Sequence, residues 1–218
     1  MSAPRPLSIV GGQLVLPGSR PIPGALRAKA GLIVALGGAD PGPDDLVVDA
    51  KGALVAPGLV DLGVFAIDKP AFHFGGITRA ALMPDQGVVL DVPSAVRFAA
   101  QSGKPDLWVH PLAAATRELA GAHLAELALM RDAGAKAVST GRRWITDSRT
   151  MHRLLSYCAM LGLTVISHAE DGGLVGGAVA TAGEMATRLG LPRRATIASV
   201  GSAQASRLTA RPWMTLVP

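Results

Sequence analysis

The sequence predicts an α/β protein in two parts: a small all-β unit over residues 1–56, and from residue 57 a parallel sheet covered by helices. Two observations carry this division. In the first part, brief apolar or β-branched runs are separated by Gly and Pro, the signature of short strands and turns. After Pro57, strand-like segments alternate with helix-like ones. The strands there are almost wholly apolar, as strands buried on both faces are.

The strands expected in the first part are Leu7–Val10, Gln13–Leu16, Leu32–Leu36, Val47–Val48 and Ala53–Val55. Turns are expected at Gly11-Gly12, Pro17-Gly18, Pro23-Gly24, Gly37-Gly38 and Pro41-Gly42-Pro43. In the second part the strands are Leu59–Phe65, Ile77–Leu82, Leu107–His110, Ala135–Ser139 and Leu163–His168. Helices are expected at Pro93–Gln101, Ala120–Ala133, Ser148–Leu161 and Val179–Leu189. The second rests on Leu124, Leu127 and Leu129-Met130 at turn-like spacing, with Gly134 as its C-terminal glycine. The third has Ser148 as N-cap, an apolar face of Met151, Leu154, Leu155, Cys158 and Leu161, and Gly162 as its stop.

Two places break the alternation. Only residues 66–76 separate the first two strands of the second part, whereas a parallel crossover takes about a dozen residues or more. Pro70 and Gly75-Gly76 argue against a helix there, so the first crossover helix is expected to be missing. From Ile197 to Pro218 no helical period is sustained, although Met214–Val217 reads as extended. The expected organisation is thus 1–56, 57–196 with about five strands, and an unpatterned tail over 197–218. Open doubly wound sheets and (β/α)8 barrels both fit the alternation. A complete (β/α)8 barrel takes about 250 residues, so a closed single-chain barrel is excluded.

Hydrophobic residues make up 49% of the 218 and charged ones only 17%, which excludes a disordered chain. The longest apolar run, Ala53 to Ile67, is broken by Pro57, Gly58 and Asp61, so no membrane span is expected. The N-terminus carries Pro4 and Pro6 and lacks a signal core, and the single cysteine, Cys158, has no partner for a disulfide. A cytoplasmic protein is expected. The net charge of +5 is scattered along the chain, and aromatics are only 4%. Without a stacking platform interleaved with basic residues, neither nucleic acid nor membrane is an expected partner.

Four stretches in order resemble one family. Val55-Ala56-Pro57-Gly58-Leu59-Val60-Asp61 is similar to the segment leading from β-sandwich to barrel in cyclic amidases of the amidohydrolase superfamily, dihydroorotases above all. Ala81-Leu82-Met83-Pro84-Asp85 resembles the Met-Pro-Asn segment after the second strand. Val109-His110-Pro111-Leu112, with Thr116 and Ala120-Gly121, resembles the third strand and its loop. His168-Ala169-Glu170-Asp171 with Leu174 resembles the His-Ala-Glu-Asp motif after the fifth. The resemblance implies a small β-sandwich domain followed by an incomplete (β/α)8 TIM-type barrel. It also implies a zinc centre at the strands' C-terminal ends and reversible opening of dihydroorotate to carbamoyl-aspartate.

Metal-activated hydroxide needs several imidazoles and a carboxylate converging on one point with a coordination position open. The family's first strand ends Asp-x-His-x-His; here the stretch is Asp61-Leu62-Gly63-Val64-Phe65, and neither Gly63 nor Phe65 can ligate. The family's Arg-Glu-Pro is replaced around Ile67-Asp68-Lys69-Pro70, and its paired aspartates give way to Ser139-Thr140-Gly141-Arg142-Arg143. Arg142 and Arg143 add positive charge that opposes a dication. His168 is the one matched metal ligand, and structural or catalytic zinc takes three or four protein ligands. Asp85 stands at the family's substrate-binding asparagine, where its charge opposes an anionic ligand.

The other candidates read as structural. His110 closes a strand, His73 lies in the short connection, and His123 and His152 sit on exposed helix positions. Glu170 and Asp171 read as loop-capping carboxylates. Lys136 is discounted as a carbamylated ligand, Gly172-Gly173 and Gly176-Gly177 lack the Lys of a phosphate loop, and Cys158 reads as buried. The expected function is a dihydroorotase-like subunit without a working metal centre, needing no cofactor, forming an oligomer and serving as a structural partner of aspartate transcarbamoylase. The alternatives are a residual zinc-dependent cyclic amidohydrolase, with zinc as its cofactor, and a truncated non-functional fragment.

Overall fold

A computed structural model describes residues 5–38, 40–168, 170–194 and 214–217. The chain divides into two compact units, Met1–Gly58 and Leu59–Pro218.

The first unit is one five-stranded sheet. Its strands are β1 (Leu7–Leu14), β2 (Ile22–Lys29), β3 (Leu32–Gly37), β4 (Leu46–Asp49) and β5 (Leu54–Val55). The order is β3-β2-β1-β4, and β5 extends the same side of β1. Leu7–Val10 and Gln13–Leu14 are a single strand interrupted by a register shift between Ile9 and Gly12. Strand β2 corrects the turn expected at Pro23-Gly24. Pro23 pairs with Gln13 and Gly24 with Gly12, and the reversal sits before them at Pro17-Gly18. A Cβ on Gly24 would come within 2.8 Å of Leu14 Cδ1, so the glycine there serves close strand approach.

One buried polar cluster fixes the unit. The Asp45 carboxylate accepts from Ser8 Oγ at 2.6 Å, from Arg27 Nε and Nη2 at 2.7 and 2.9 Å, and from the Gly42 N–H at 2.9 Å. The Arg27 guanidinium, then Ser8 and Gly42, hold this carboxyl well below the usual carboxylate range.

The second unit is a parallel, curled half-barrel. It comprises β6 (Leu59–Val64), α1 (Lys69–Phe74), β7 (Ile77–Leu82), α2 (Pro93–Gln101), β8 (Trp108–Ala114), α3 (Leu127–Asp132), β9 (Ala137–Ser139), α4 (Ser148–Leu161) and β10 (Thr164–His168). After these come α5 (Gly172–Val175), β11 (Ala180–Thr181), α6 (Glu184–Arg188), β12 (Arg193–Arg194) and β13 (Met214–Val217). The main sheet has six strands in the order β13-β10-β9-β8-β7-β6, with β13 parallel to β10. The tail expected over 197–218 otherwise lies outside the described residues.

Period-two alternation splits each strand between two layers. Val64, Leu82, Val109, Val138 and Val165 meet Val96, Ala99, Met130, Leu154 and Cys158 of the helices in one core. Ala81, Met83, Leu112 and Ala137 form a smaller cluster on the opposite, concave face, with Ile166 against it. Burial pushes the Cys158 thiol up to about 12, which makes it a packing residue.

Helix α1 corrects the expectation of an empty first crossover. The Asp68 side chain accepts from the Ala71 N–H at 3.1 Å, Pro70 lies in the first turn, where its missing N–H costs nothing, and Gly75 caps the end. The helix expected over Ala120–Ala133 is only α3. Residues 120–126 instead fold back on the segment that follows β8: Thr116 bridges Leu124, the Arg117 N–H donates to His123 O, and the Ala125 N–H donates to Ala115 O. His123 therefore lies in a loop. In α4 the N-cap is Asp147 rather than Ser148, its carboxylate accepting from the Arg149 and Thr150 N–H groups. Gly162, at φ 66°, ends α4 in the left-handed region, and the Leu163 N–H donates to Cys158 O at 2.9 Å. The helix expected over Val179–Leu189 shrinks to α6, because the Val179 and Ala180 N–H groups both donate to Pro192 O beside the β11–β12 pair.

Candidate functional site

The parallel strands β6–β10 bring their C-terminal ends to one rim, where the segments after β7 and β10 carry the Met83-Pro84-Asp85 and His168 motifs. Strand β6 reaches this rim through an irregularity: its pairing with β7 slips between Asp61 and Val64, and the Gly63 N–H donates to Asp61 Oδ1 at 3.0 Å. Phe65 follows directly. The Phe65 carbonyl accepts from Gln86 Nε2, which also donates to Met83 O, tying the loops after β6 and β7 together.

The centre of the rim is a three-residue stack. The Arg142 guanidinium lies over the Phe65 ring, 3.9 Å from Cζ to centroid. Arg142 Nε stands 3.0 Å from Asp85 Oδ2, and Asp85 Oδ1 is buried without a hydrogen-bond partner. Gly141 makes the approach possible. It sits at φ 65°, and a Cβ there would come 3.0 Å from Leu119 Cδ1 and 3.5 Å from Asp85 Cγ. A side chain would be strained by the backbone and would wedge into this contact. Glu118 and Leu119 also have positive φ, 54° and 56°, stabilised by the Glu118 N–H donating to Asp91 Oδ2 at 2.8 Å.

His168 ends β10, the strand next to β9, whose following loop carries Arg142. Its backbone N–H donates to Thr140 Oγ1 at 3.1 Å, while Ser139 Oγ accepts from the Gly141 N–H. Among the described residues no hydrogen bond or ion pair joins His168 to Asp85, and no three His, Cys, Asp or Glu side chains gather as a metal ligand set. The side chains gathered here therefore do not fit zinc: Phe65 is a hydrocarbon and Arg142 a cation, and neither can donate to a metal. What the rim offers chemically is a guanidinium stacked on an aromatic ring and balanced by one carboxylate. The contact of Phe65, Asp85 and Arg142 escapes sequence reasoning, which marks each substitution but not their meeting. The one signal was the opposite charge of Asp85 and Arg142 at two altered motif positions.

His110 lies within β8 and not at its end, and Arg79 Nη1 stands 3.3 Å from its Nε2. His73 is in the last turn of α1, His152 is exposed on α4, and Lys136 is exposed just before β9. No helix among the described residues is long and apolar enough to cross a membrane.

No family model matches the chain. It is 37% identical over 178 residues to a dihydroorotase of Pelotomaculum thermopropionicum, covering 75% of this chain and 40% of that protein. It is 34% identical over 183 residues to a dihydroorotase-like protein of Pseudomonas putida, covering 77% and 43%. The chain thus spans about two-fifths of the length of the curated relatives it matches. Among solved structures, the L-hydantoinase (dihydropyrimidinase) of Arthrobacter aurescens superposes with a TM-score of 0.74 at 19% identity, over 96% of this chain and 52% of that one. A dihydroorotase superposes with a TM-score of 0.59 at 12% identity, over 98% and 64%. At such identities the structures speak for the fold, and the sequence relatives carry the kinship: the chain belongs to the amidohydrolase family, on the side of its cyclic-amide hydrolases.

Proposed function

We propose that this dihydroorotase-like chain does not itself hydrolyse a cyclic amide and serves pyrimidine synthesis as a structural partner of an aspartate transcarbamoylase. The observation that carries the first half is the stack of Phe65, Arg142 and Asp85 on the catalytic rim of the fold. Arg142 places a cation at this rim, and its pairing occupies Asp85 Oδ2, an oxygen a dication would need. The second half is supported by a fold that keeps its motifs while its ligands are replaced. It is supported also by the open edge strand β6, where Leu59 and Leu62 are 61% and 66% exposed. An apolar sheet edge is a ready surface for assembly with another chain.

The test is co-elution of the purified chain with its cognate aspartate transcarbamoylase, together with assay of that enzyme's activity with and without the chain. A stable complex or a changed activity is the expected result; separate elution with unchanged activity removes the structural role. The kinship to proteins named dihydroorotase favours one other reading, a residual zinc hydrolase using His168. More than about half a mole of zinc per chain, with chelator-sensitive hydrolysis of dihydroorotate, decides for it.

A further inference from the structure

We propose that the opposite, N-terminal rim of the large sheet carries a binding site for a small, multiply charged oxyanion of phosphate or pyrophosphate type, built by Arg79, Lys104 and Lys136 around Trp108 and His110. This goes beyond the proposed function and is independent of it. Strands β7, β8 and β9 are parallel, so their early residues share one rim. Arg79 of β7 is paired in register with Trp108 of β8. The Arg79 guanidinium lies 5.5 Å from the Trp108 ring centroid, and Lys104 Nζ lies 2.9 Å from it. Arg79 Nη1 reaches His110 Nε2 at 3.3 Å. The Lys136 N–H donates to the carbonyl of Pro111, next to His110, which brings Lys136, just before β9, alongside β8.

Among the described residues these groups have no counter-charge: no carboxylate lies within ion-pair distance of Arg79, Lys104 or Lys136, and the nearby Asp106 is taken by Lys69 at 3.4 Å. Such a gathering of like charge is unfavourable unless something offsets it. Burial, then the charges of Arg79, Lys136 and Lys104, hold His110 below its ordinary value. A guanidinium always donates, so His110 Nε2 accepts from it and the neutral ring carries its proton on Nδ1.

The chemistry of the occupant follows from these donors. A guanidinium fork, two ammonium groups and one imidazole N–H match the oxygens of an anion, and offsetting three cations takes at least two negative charges. Trp108 is 51% exposed, and its ring already has cations against it, so its part in the site is to hold Arg79 and Lys104. The site is at the other end of the strands from Asp85 and Arg142.

The test uses the full chain carrying Trp144→Phe and Trp213→Phe, so that Trp108 alone fluoresces, titrated with inorganic pyrophosphate at constant ionic strength. Thermal melts of the unaltered chain with and without pyrophosphate give a second readout free of those substitutions. The expected result is a saturable change in Trp108 emission and a raised melting temperature. Affinity is expected to fall at least ten-fold in Arg79→Gln/Lys136→Gln and to stay unchanged in Lys29→Gln, an exposed lysine of the first unit. Absence of a saturable response in both readouts overturns the proposal. So does a response that sodium chloride reproduces at matched ionic strength, or one that Lys29→Gln weakens equally.

Discussion

Arg142 Nε stands 3.0 Å from Asp85 Oδ2, joining the loop after β9 to the loop after β7. The two ends of this pair are unequal. Arg142 is mostly exposed and Asp85 mostly buried, with Oδ1 unpartnered. The ion pair alone is worth little at the surface, about 1 kcal/mol or less. Removing the cation nonetheless leaves a carboxylate with both oxygens unpaired, a loss of about 1–3 kcal/mol for a buried group.

Arg142→Ala is therefore expected to destabilise the chain by about 1–2 kcal/mol. Adding Asp85→Asn is expected to recover most of the loss, because a neutral amide is cheaper to bury. Urea unfolding of the two single variants and the double variant measures this. Additive losses would show that Asp85 does not depend on Arg142.

The same guanidinium is expected to decide whether metal ligands can be restored. Space at Gly63 is open, since a Cβ there meets nothing within 4 Å, so Gly63→His and Phe65→His return the two missing imidazoles to stand with His168. Three ligands with an open fourth position suffice for zinc. The variant Gly63→His/Phe65→His/Arg142→Ala is expected to bind zinc at least ten-fold more tightly than the same chain keeping Arg142. Equilibrium dialysis against zinc reads the difference; equal affinity would clear Arg142 of any part in excluding the metal.

Much of this is legible in the sequence, where local chemistry decides. The apolar positions 151, 154, 155 and 158 marked α4, and their side chains are buried in the core as that spacing requires. Tertiary pairing undid other expectations. Pro23-Gly24 has turn composition, yet β1 recruits it as a strand because Leu14 needs the room above Gly24. Leu124 has helical spacing to Leu127, yet Thr116 bridges it. At the site, each replaced ligand could be read from its motif, whereas the stacking of Arg142 on Phe65 arises only when the sheet curls and brings the first and fourth strand ends together.

In the first unit, Asp45 is expected to set the response to acid. Its folded value is depressed by Arg27, Ser8 and the Gly42 N–H, so the unfolded chain binds the proton more readily than the folded one. The stabilisation is complete above the ordinary value of 3.8 and is lost as pH falls through and below it. Asp45→Asn is expected to lower the denaturation midpoint at pH 7 and to flatten the pH dependence between about 5 and 2. Melts followed across that range check it, and an unchanged slope would assign the acid sensitivity elsewhere.

Helix α4 offers the sharpest contrast between two adjacent residues. Asp147 adopts the extended backbone of an N-cap, and its carboxylate accepts from Thr150 Oγ1 at 2.6 Å and from the Thr150 and Arg149 N–H groups at 3.0 and 3.2 Å. Ser148, one position on, is already helical and exposed. Asp147→Ala is expected to lower the melting temperature by about 2–4 °C, and Ser148→Ala to leave it within about 1 °C. The Thr150 hydroxyl and backbone N–H hold the Asp147 carboxyl below its ordinary 3.8, so the penalty of Asp147→Ala shrinks once pH falls beneath that range and the cap is protonated in both folded and unfolded chains. Differential scanning calorimetry at pH 7 and pH 2.5 separates the two residues; equal losses for both, or an Asp147→Ala penalty that grows in acid, would return the cap to Ser148.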